Sequence, residues 1–375
     1  MVRDRVVLAG YTTLGLGGPA ARLVEADSDE QVISSVREAD LEAEPVLVLG
    51  GGSNLVVADE GFPGTVVQLA TRGISVTAAG DAASLTVAAG ENWDELVAWC
   101  AAEGLSGLEC LSGIPGLAGA TPIQNVGAYG EDVAETIVTV RAYDRLRDQV
   151  TELSAADCGF GYRTSSFKRR STRSGRDAAR DLAPTGRFVI LDVSFRLARD
   201  PLSAPVRYPE LARRLGVAEG GRVPLADARA AVLELRRGKG MVLDPADPDT
   251  RSAGSFFTNP VLSQRQFAEL QRRAAARPGQ PGQGVRVPHF AAGDGQVDGQ
   301  VKVPAAWLIE QAGFGKGYPP GGAARISAKH TLALTNPGSA STADLLALAR
   351  QIIAGVRQVF GVDLVIEPVL VGTSI

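Results

Sequence analysis

Two glycine-rich stretches carry the residue types and spacing from which chemistry can first be read. In Leu49-Gly50-Gly51-Gly52-Ser53-Asn54 an apolar run ends in three consecutive glycines and two small polar residues. With no side chains intervening, backbone N–H groups there can close on an anion, and Ser53 and Asn54 add donors. Taken alone, the motif is equally a tight turn. The second stretch contains Ile114, Pro115, Gly116, Gly119, Ala120, Thr121, Gln124, Asn125, Gly127, Ala128 and Tyr129. Its glycines permit close backbone approach, and Thr121, Gln124 and Asn125 hydrogen-bond with both polarities. Such a wall suits a pyrophosphate lying beside a flat heteroaromatic ring. Neither stretch has the G-x-G-x-x-G spacing, and neither does Gly15-Leu16-Gly17-Gly18-Pro19. An orthodox nicotinamide-binding Rossmann unit is therefore not expected.

The elements that must position these loops alternate along the chain. Helices are expected over 29–39, from Asn92 to a stop at Gly104, over 225–237, over 265–277, and from Ser341 through Phe360. Asn92 with Glu95, and Ser341 with Asp344, stand at capping-box spacing. Strands are expected over 45–49, at Val56, at Val66-Val67, and over 84–88, 137–143, 188–197 and 362–371. Between them, residues 108–130 read as one long coil, too apolar for disorder and ordered against a ligand. The mixture is α+β with more than one sheet. The Arg- and Ser-dense run over 168–181 and the Pro/Gly/Gln-rich run over 278–284 read as surface insertions.

Composition narrows the class. A chain of 375 residues with 45% hydrophobic residues can bury a sizeable core in two or three domains. The net charge of −4 disfavours nucleic acid and requires an anionic ligand to find local positive charge. No apolar run approaches the roughly 20 residues of a membrane span. The run Val6–Ala9 is too short for a secretory core. Cys100, Cys110 and Cys158 have no metal-ligand spacing and fit free thiols in a reducing, cytoplasmic compartment. With only His289 and His330, no multi-histidine metal site is expected.

Together the two glycine loops resemble the FAD-binding loops of the UDP-N-acetylenolpyruvoylglucosamine reductases. Further motifs follow in that family's order. Phe160-Gly161-Tyr162-Arg163-Thr164-Ser165-Ser166-Phe167-Lys168 resembles its arginine motif, Ala253-Gly254-Ser255-Phe256-Phe257-Thr258-Asn259-Pro260 its serine motif, and Ile366-Glu367-Pro368 its C-terminal glutamate motif. The resemblance implies a two-part FAD-binding region of the vanillyl-alcohol-oxidase (PCMH) kind, with residues 1–72 as one part and 73–235 with 361–375 as the other. A C-terminal α+β substrate-binding domain would span 236–360. It also implies noncovalent FAD, NADPH as co-substrate, and reduction of an enolpyruvyl ether on a UDP-sugar in peptidoglycan precursor synthesis.

Site roles follow from the same resemblance. Arg163 would hold the substrate carboxylate, as its fixed guanidinium fork allows. Ser255 would protonate C2, although a serine is too weak an acid for sequence chemistry alone to select it. Glu367 would support that proton transfer. Lys239 resembles the family's cation on the substrate diphosphate, and Asn259 and Gln311 resemble substrate hydrogen-bonders. Tyr208 resembles the lid tyrosine of the type I branch, whose extra βαββ-like element would fit the length of 189–225. Trp307 reads as a core aromatic. Two other classes are a flavin oxidase with covalently attached FAD, for which Cys110 is the candidate attachment point, and a non-catalytic nucleotide-binding module.

Overall fold

The computed structural model describes residues 1–168, 183–276, 286–291 and 299–375. Most of the basic run and the Pro/Gly/Gln-rich run fall outside these residues. The described chain divides into two compact units. Unit 1 comprises Met1–Tyr11, Gly18–Ser53 and Glu60–Leu243, and unit 2 comprises Thr12–Gly17, Asn54–Asp59 and Asp244–Ile375.

Unit 1 opens with β1 (Val2–Val7), β2 (Pro19–Ala26), helix α1 (Asp29–Leu41) and β3 (Val46–Leu49). After β4 (Leu55–Val57), which belongs to unit 2, β5 (Phe62–Leu69) completes a four-stranded sheet of order β1-β2-β5-β3. Ser28 caps α1 by accepting from Gln31 N, and Val32, Val36 and Ala39 line one buried face. That face packs on Val46 and Val67 of the sheet, together with Tyr143, Val189 and Leu191.

A second sheet uses β6 (Ile74–Ala79), β7 (Ala82–Ala88), β8 (Leu105–Ser106), β11 (Ile137–Asp144), β12 (Gln149–Ser154) and β13 (Phe188–Arg199), in the order β12-β11-β13-β7-β6 with β8 also on β13. Helix α2 (Trp93–Ala102) covers it, burying Trp93, Leu96, Val97 and Cys100 against Leu85, Val140 and Phe195. Asn92 caps α2 as expected, its side chain accepting from Glu95 N.

Residues 108–130 are not the continuous coil expected. They hold two short 3-10 turns (Glu109–Leu111 and Ala118–Ala120), helix α3 (Thr121–Gln124) and β9 (Gly127–Ala128), which pairs with β10 (Glu131–Asp132). The expected βαββ-like element over 189–225 is also not formed. After β13 the chain makes one seven-residue helix, α4 (Pro209–Leu215), and a single bridge, Leu202 to Pro224. Pro201, Pro205, Pro209 and the pair Gly220-Gly221 interrupt any longer strand. Helix α5 (Leu225–Gly238) ends the unit and packs on α4 through Leu211, Ala212, Ala231 and Val232.

Unit 2 has its own core. Helix α6 (Gln264–Ala275), α7 (Ala305–Gln311) and α8 (Thr342–Phe360) contribute Phe267, Leu270, Leu308, Ile309, Ile352 and Phe360, joined by Leu14, Leu16 and Val56 from the two N-terminal excursions. The expected core aromatic Trp307 packs on the Phe360 ring at 5.6 Å between centroids. Ser341 and Asp344 form the capping box that starts α8. The C-terminal strand, β14 (Val369–Val371), is shorter than expected and pairs in parallel with β4, not with a strand of residues 73–235.

Candidate active site

In unit 1 the two glycine loops meet backbone to backbone. A Cβ on Gly51 would stand 2.8 Å from Gly116 Cα, and one on Gly119 would stand 2.5 Å from Ala89 Cβ. Ser53 Oγ donates to Pro115 O at 2.9 Å and locks the contact. Gly52 (φ +62°) and Gly116 (φ +127°) take backbone conformations that side chains disfavour. Asn125 (φ +44°) and Tyr129 (φ +51°) adopt such conformations despite their side chains, a strain typical of ligand-holding loops. Trp93 Nε1 donates to Leu111 O, and Asp94 accepts from Gly113 N at 2.6 Å, so α2 holds the start of the second loop. A bidentate pair from Arg229 to Asp94 ties α5 to the same point.

The arginine motif is sewn onto this wall. Gly161 and Thr164 close a tight turn on each other, with Arg163 at φ +52°. The Arg163 guanidinium donates to Gly127 O at 2.6 Å and to Asn125 O at 3.4 Å. In return Asn125 Nδ2 donates to Gly161 O at 3.0 Å, and Ser165 Oγ to Ile123 O at 2.7 Å. Lys168 Nζ reaches Gln124 Oε1 at 2.5 Å. The expected cofactor residues Asn125 and Gly127 therefore also set the aim of Arg163, while Gln124 holds Lys168.

Sequence reasoning missed a second guanidinium. Arg236, in the last turn of α5, donates through Nη2 to Met241 O at 2.8 Å, while its buried Nε has no hydrogen-bond partner. Burial, against the smaller opposing pull of Tyr129 and Asp94 and with a further contribution from Arg163, pushes its pKa down to about 10. Two cations thus act on one another in unit 1. Such an arrangement is costly unless an anion completes it. Nothing in the helical pattern of Leu225–Gly238 distinguishes this Arg from the exposed Arg237 beside it.

Lys239 follows at the end of α5. It pairs with Glu210 at 2.7 Å, and its Nζ lies 5.5 Å from the Tyr129 ring centroid. Tyr129 in turn meets Tyr208 edge to face at 5.5 Å. Cys110 is buried near Val206 and Leu211. Burial and the neighbouring Glu131 push its thiol far above the ordinary range, which disqualifies it as a nucleophile for covalent flavin attachment.

In unit 2 the serine and glutamate motifs lie side by side although 112 residues separate Ser255 from Glu367. Phe257 bridges Ile366, Thr258 N donates to Val365 O at 3.0 Å, and Glu367 N donates to Phe256 O at 2.9 Å. Ser255 is half-buried and follows Gly254, whose φ of +71° makes the turn. Phe256 and Phe257 anchor the segment in the core. Asn259 Oδ1 accepts from Ala305 N at 2.9 Å and so serves the start of α7. Gln311 is the last residue of that helix and is half-buried.

A model for an FAD binding domain matches residues 20–153, the span that contains both glycine loops. The close-packed, positively strained loops fit that cofactor, and the fold is that of a flavin-dependent oxidoreductase. A model for the C-terminal domain of UDP-N-acetylenolpyruvoylglucosamine reductase matches residues 245–371. The chain is 58% identical over 371 residues to a UDP-N-acetylenolpyruvoylglucosamine reductase from Thermobifida fusca, covering 99% of this chain and 98% of that one. To a reductase of the same name from Streptomyces coelicolor it is 55% identical over 369 residues, covering 98% and 90%. The crystal structure of UDP-N-acetylenolpyruvylglucosamine reductase (MurB) from Thermus caldophilus superposes with a TM-score of 0.62 at 26% identity, over 99% of this chain and all of that one (100%). This chain belongs to the UDP-N-acetylenolpyruvoylglucosamine reductase family and is an FAD-dependent enzyme of peptidoglycan precursor synthesis. No helix among the described residues is long and apolar enough to cross a membrane.

Proposed function

We propose that the enzyme uses NADPH to reduce the enolpyruvyl ether of UDP-N-acetylglucosamine to the lactyl ether of UDP-N-acetylmuramate, in the cytoplasm. The chemistry supplied by bound FAD is hydride delivery to the vinyl carbon C3. What remains for the protein is an enolate to stabilise and a proton to place on C2. Arg163 takes the carboxylate into which the charge spreads, and the buried, half-used Arg236 adds a second cation for the same anion. Ser255 donates the proton, and Glu367 supports its hydroxyl. Lys239 takes the substrate diphosphate, Tyr208 closes over it, and Asn259 and Gln311 hydrogen-bond the sugar nucleotide. The glycine loops, Gly50 to Asn54 and Ile114 to Tyr129, hold FAD noncovalently. In this reading most of residues 1–243 serve the cofactor, and residues 244–375, Glu367 among them, serve the substrate.

The observation that carries the reading is the backbone pairing of the serine and glutamate motifs in unit 2, which makes two distant polar residues neighbours. A non-catalytic nucleotide-binding module has no need of that arrangement. The test separates the two half-reactions. In Ser255→Ala, NADPH still bleaches the flavin, while reoxidation by the enolpyruvyl substrate slows by about 10²–10⁴, the range of a lost general acid. Normal reoxidation in this variant removes Ser255 from the mechanism.

A further inference from the structure

Lys239 is the cation that the acidic chain offers to a diphosphate, yet a lysine ammonium sits on four rotatable bonds and is costly to immobilise. In this structure it is already held. Glu210 accepts from its Nζ at 2.7 Å, and the Tyr129 ring lies 5.5 Å from the same atom. Both members of the pair are about one-third exposed, with side-chain accessibilities of 31% for Lys239 and 36% for Glu210. Glu210 stands in the first turn of α4, two residues after Tyr208, and α4 is packed on α5 through Leu211 and Val232. Its carboxylate therefore moves with Tyr208 and reaches the end of the helix that carries Lys239.

We propose that Glu210 is a positioning residue, which orients the Lys239 ammonium that receives the substrate diphosphate. The proposal rests on the assignment of Lys239 to that group. An ammonium has three N–H donors. Glu210 occupies one and leaves two for phosphate oxygens, so the pair need not break when the anion arrives. The ionisable groups around the ammonium are Tyr129 from the second glycine loop and Tyr208 and Glu210 from the start of α4. Burial works against the charged lysine, and the Glu210 hydrogen bond and charge offset it. Without Glu210 the burial of the ammonium loses its main offset.

The test is a double-mutant cycle on the intact FAD-loaded enzyme with the UDP-linked enolpyruvyl substrate. Glu210→Ala raises the substrate KM about tenfold, with a smaller change in kcat. Glu210→Gln, which keeps the shape and an acceptor oxygen, raises KM less and moves its basic limb to lower pH. Lys239→Met raises KM, and adding Glu210→Ala to Lys239→Met changes nothing further. If Glu210→Ala is silent, or if its full effect persists in the Lys239→Met background, the positioning role is wrong. If Lys239→Met itself leaves KM unchanged, the diphosphate assignment of Lys239 is what fails, and the role of Glu210 falls with it.

Discussion

Arg163 shows what a single residue must supply. Its guanidinium is aimed by carbonyls of the second glycine loop, Gly127 O and Asn125 O, from a backbone at φ +52°. Lysine keeps the charge and loses the planar fork. Arg163→Lys is therefore expected to lower kcat/KM by about 10²–10³, the scale of a lost oxyanion donor, with flavin content unchanged in the absorbance spectrum. Glu131 gives a second residue-scale prediction. Burial, with Glu109 nearby, pushes its carboxyl up to about 7. The unfolded chain releases that proton from about pH 4.5 upward, while the folded chain holds it until about pH 7. The folded state thus binds more protons over this window, and its stability falls as pH rises, by up to about 3 kcal/mol. In Glu131→Gln, denaturation midpoints should lose that decline between about pH 4.5 and 7. An unchanged slope would mean that Glu131 ionises normally. Arg163, Ser255 and Glu367 could be singled out in the sequence because each sits in a motif, and the structure pairs the motifs of the last two backbone to backbone. Arg236 could not be, because only the packed structure leaves its Nε buried and unpaired.

At the scale of elements, the capped helices were the most legible. Asn92 and Ser341 announced α2 and α8, because an N-cap is a local device that needs no tertiary partner. Strands with no strong alternation went unseen. Every residue of β6 is exposed, and β12 is exposed or half-buried throughout, so neither carries the period-two signal of a buried face. The turns inside residues 108–130 were hidden for a related reason. Their helical pieces are only three or four residues long, too short for any periodicity. The contact between the two glycine loops is tertiary and makes a sharp prediction. In Gly51→Ala the new methyl meets the Gly116 backbone at 2.8 Å, which cannot swing aside as a side chain could. The loops must part, and the cradle for the flavin is disturbed while the sheets behind it are not. The purified variant should show a reduced ratio of flavin to protein absorbance with an unchanged far-ultraviolet circular dichroism spectrum. Full flavin occupancy would show that the close approach is not needed.

For the whole molecule, the order of the chain and the grouping of its cores do not coincide. Residues 244–375 look like a separable C-terminal domain, and the family model begins at 245. Yet the core of unit 2 includes Leu14, Leu16 and Val56, at 0%, 4% and 0% exposure. Asn336 Nδ2 donates to Leu14 O at 3.0 Å, β14 has its only strand partner among the described residues in β4, and Thr342 Oγ1 donates to Val57 O at 2.6 Å. The Asp59 carboxylate accepts from Thr342 N and Ala343 N and so satisfies the first turn of α8. Removing a buried leucine side chain typically costs about 2–5 kcal/mol. Losing two leucines alone costs about 4–10 kcal/mol on that scale, and the loss of a valine, a strand and a helix cap adds to it, a total comparable with the roughly 5–15 kcal/mol that holds a domain together. The isolated fragment 244–375 is expected to show no cooperative unfolding transition. In the full chain, Leu14→Ala should destabilise unit 2 by about 2–5 kcal/mol, read as a lower denaturation midpoint with slower exchange lost at α8 amides. A fragment 244–375 that melts cooperatively, with α8 amides protected as in the full chain, would show that the N-terminal excursions decorate this core and do not complete it.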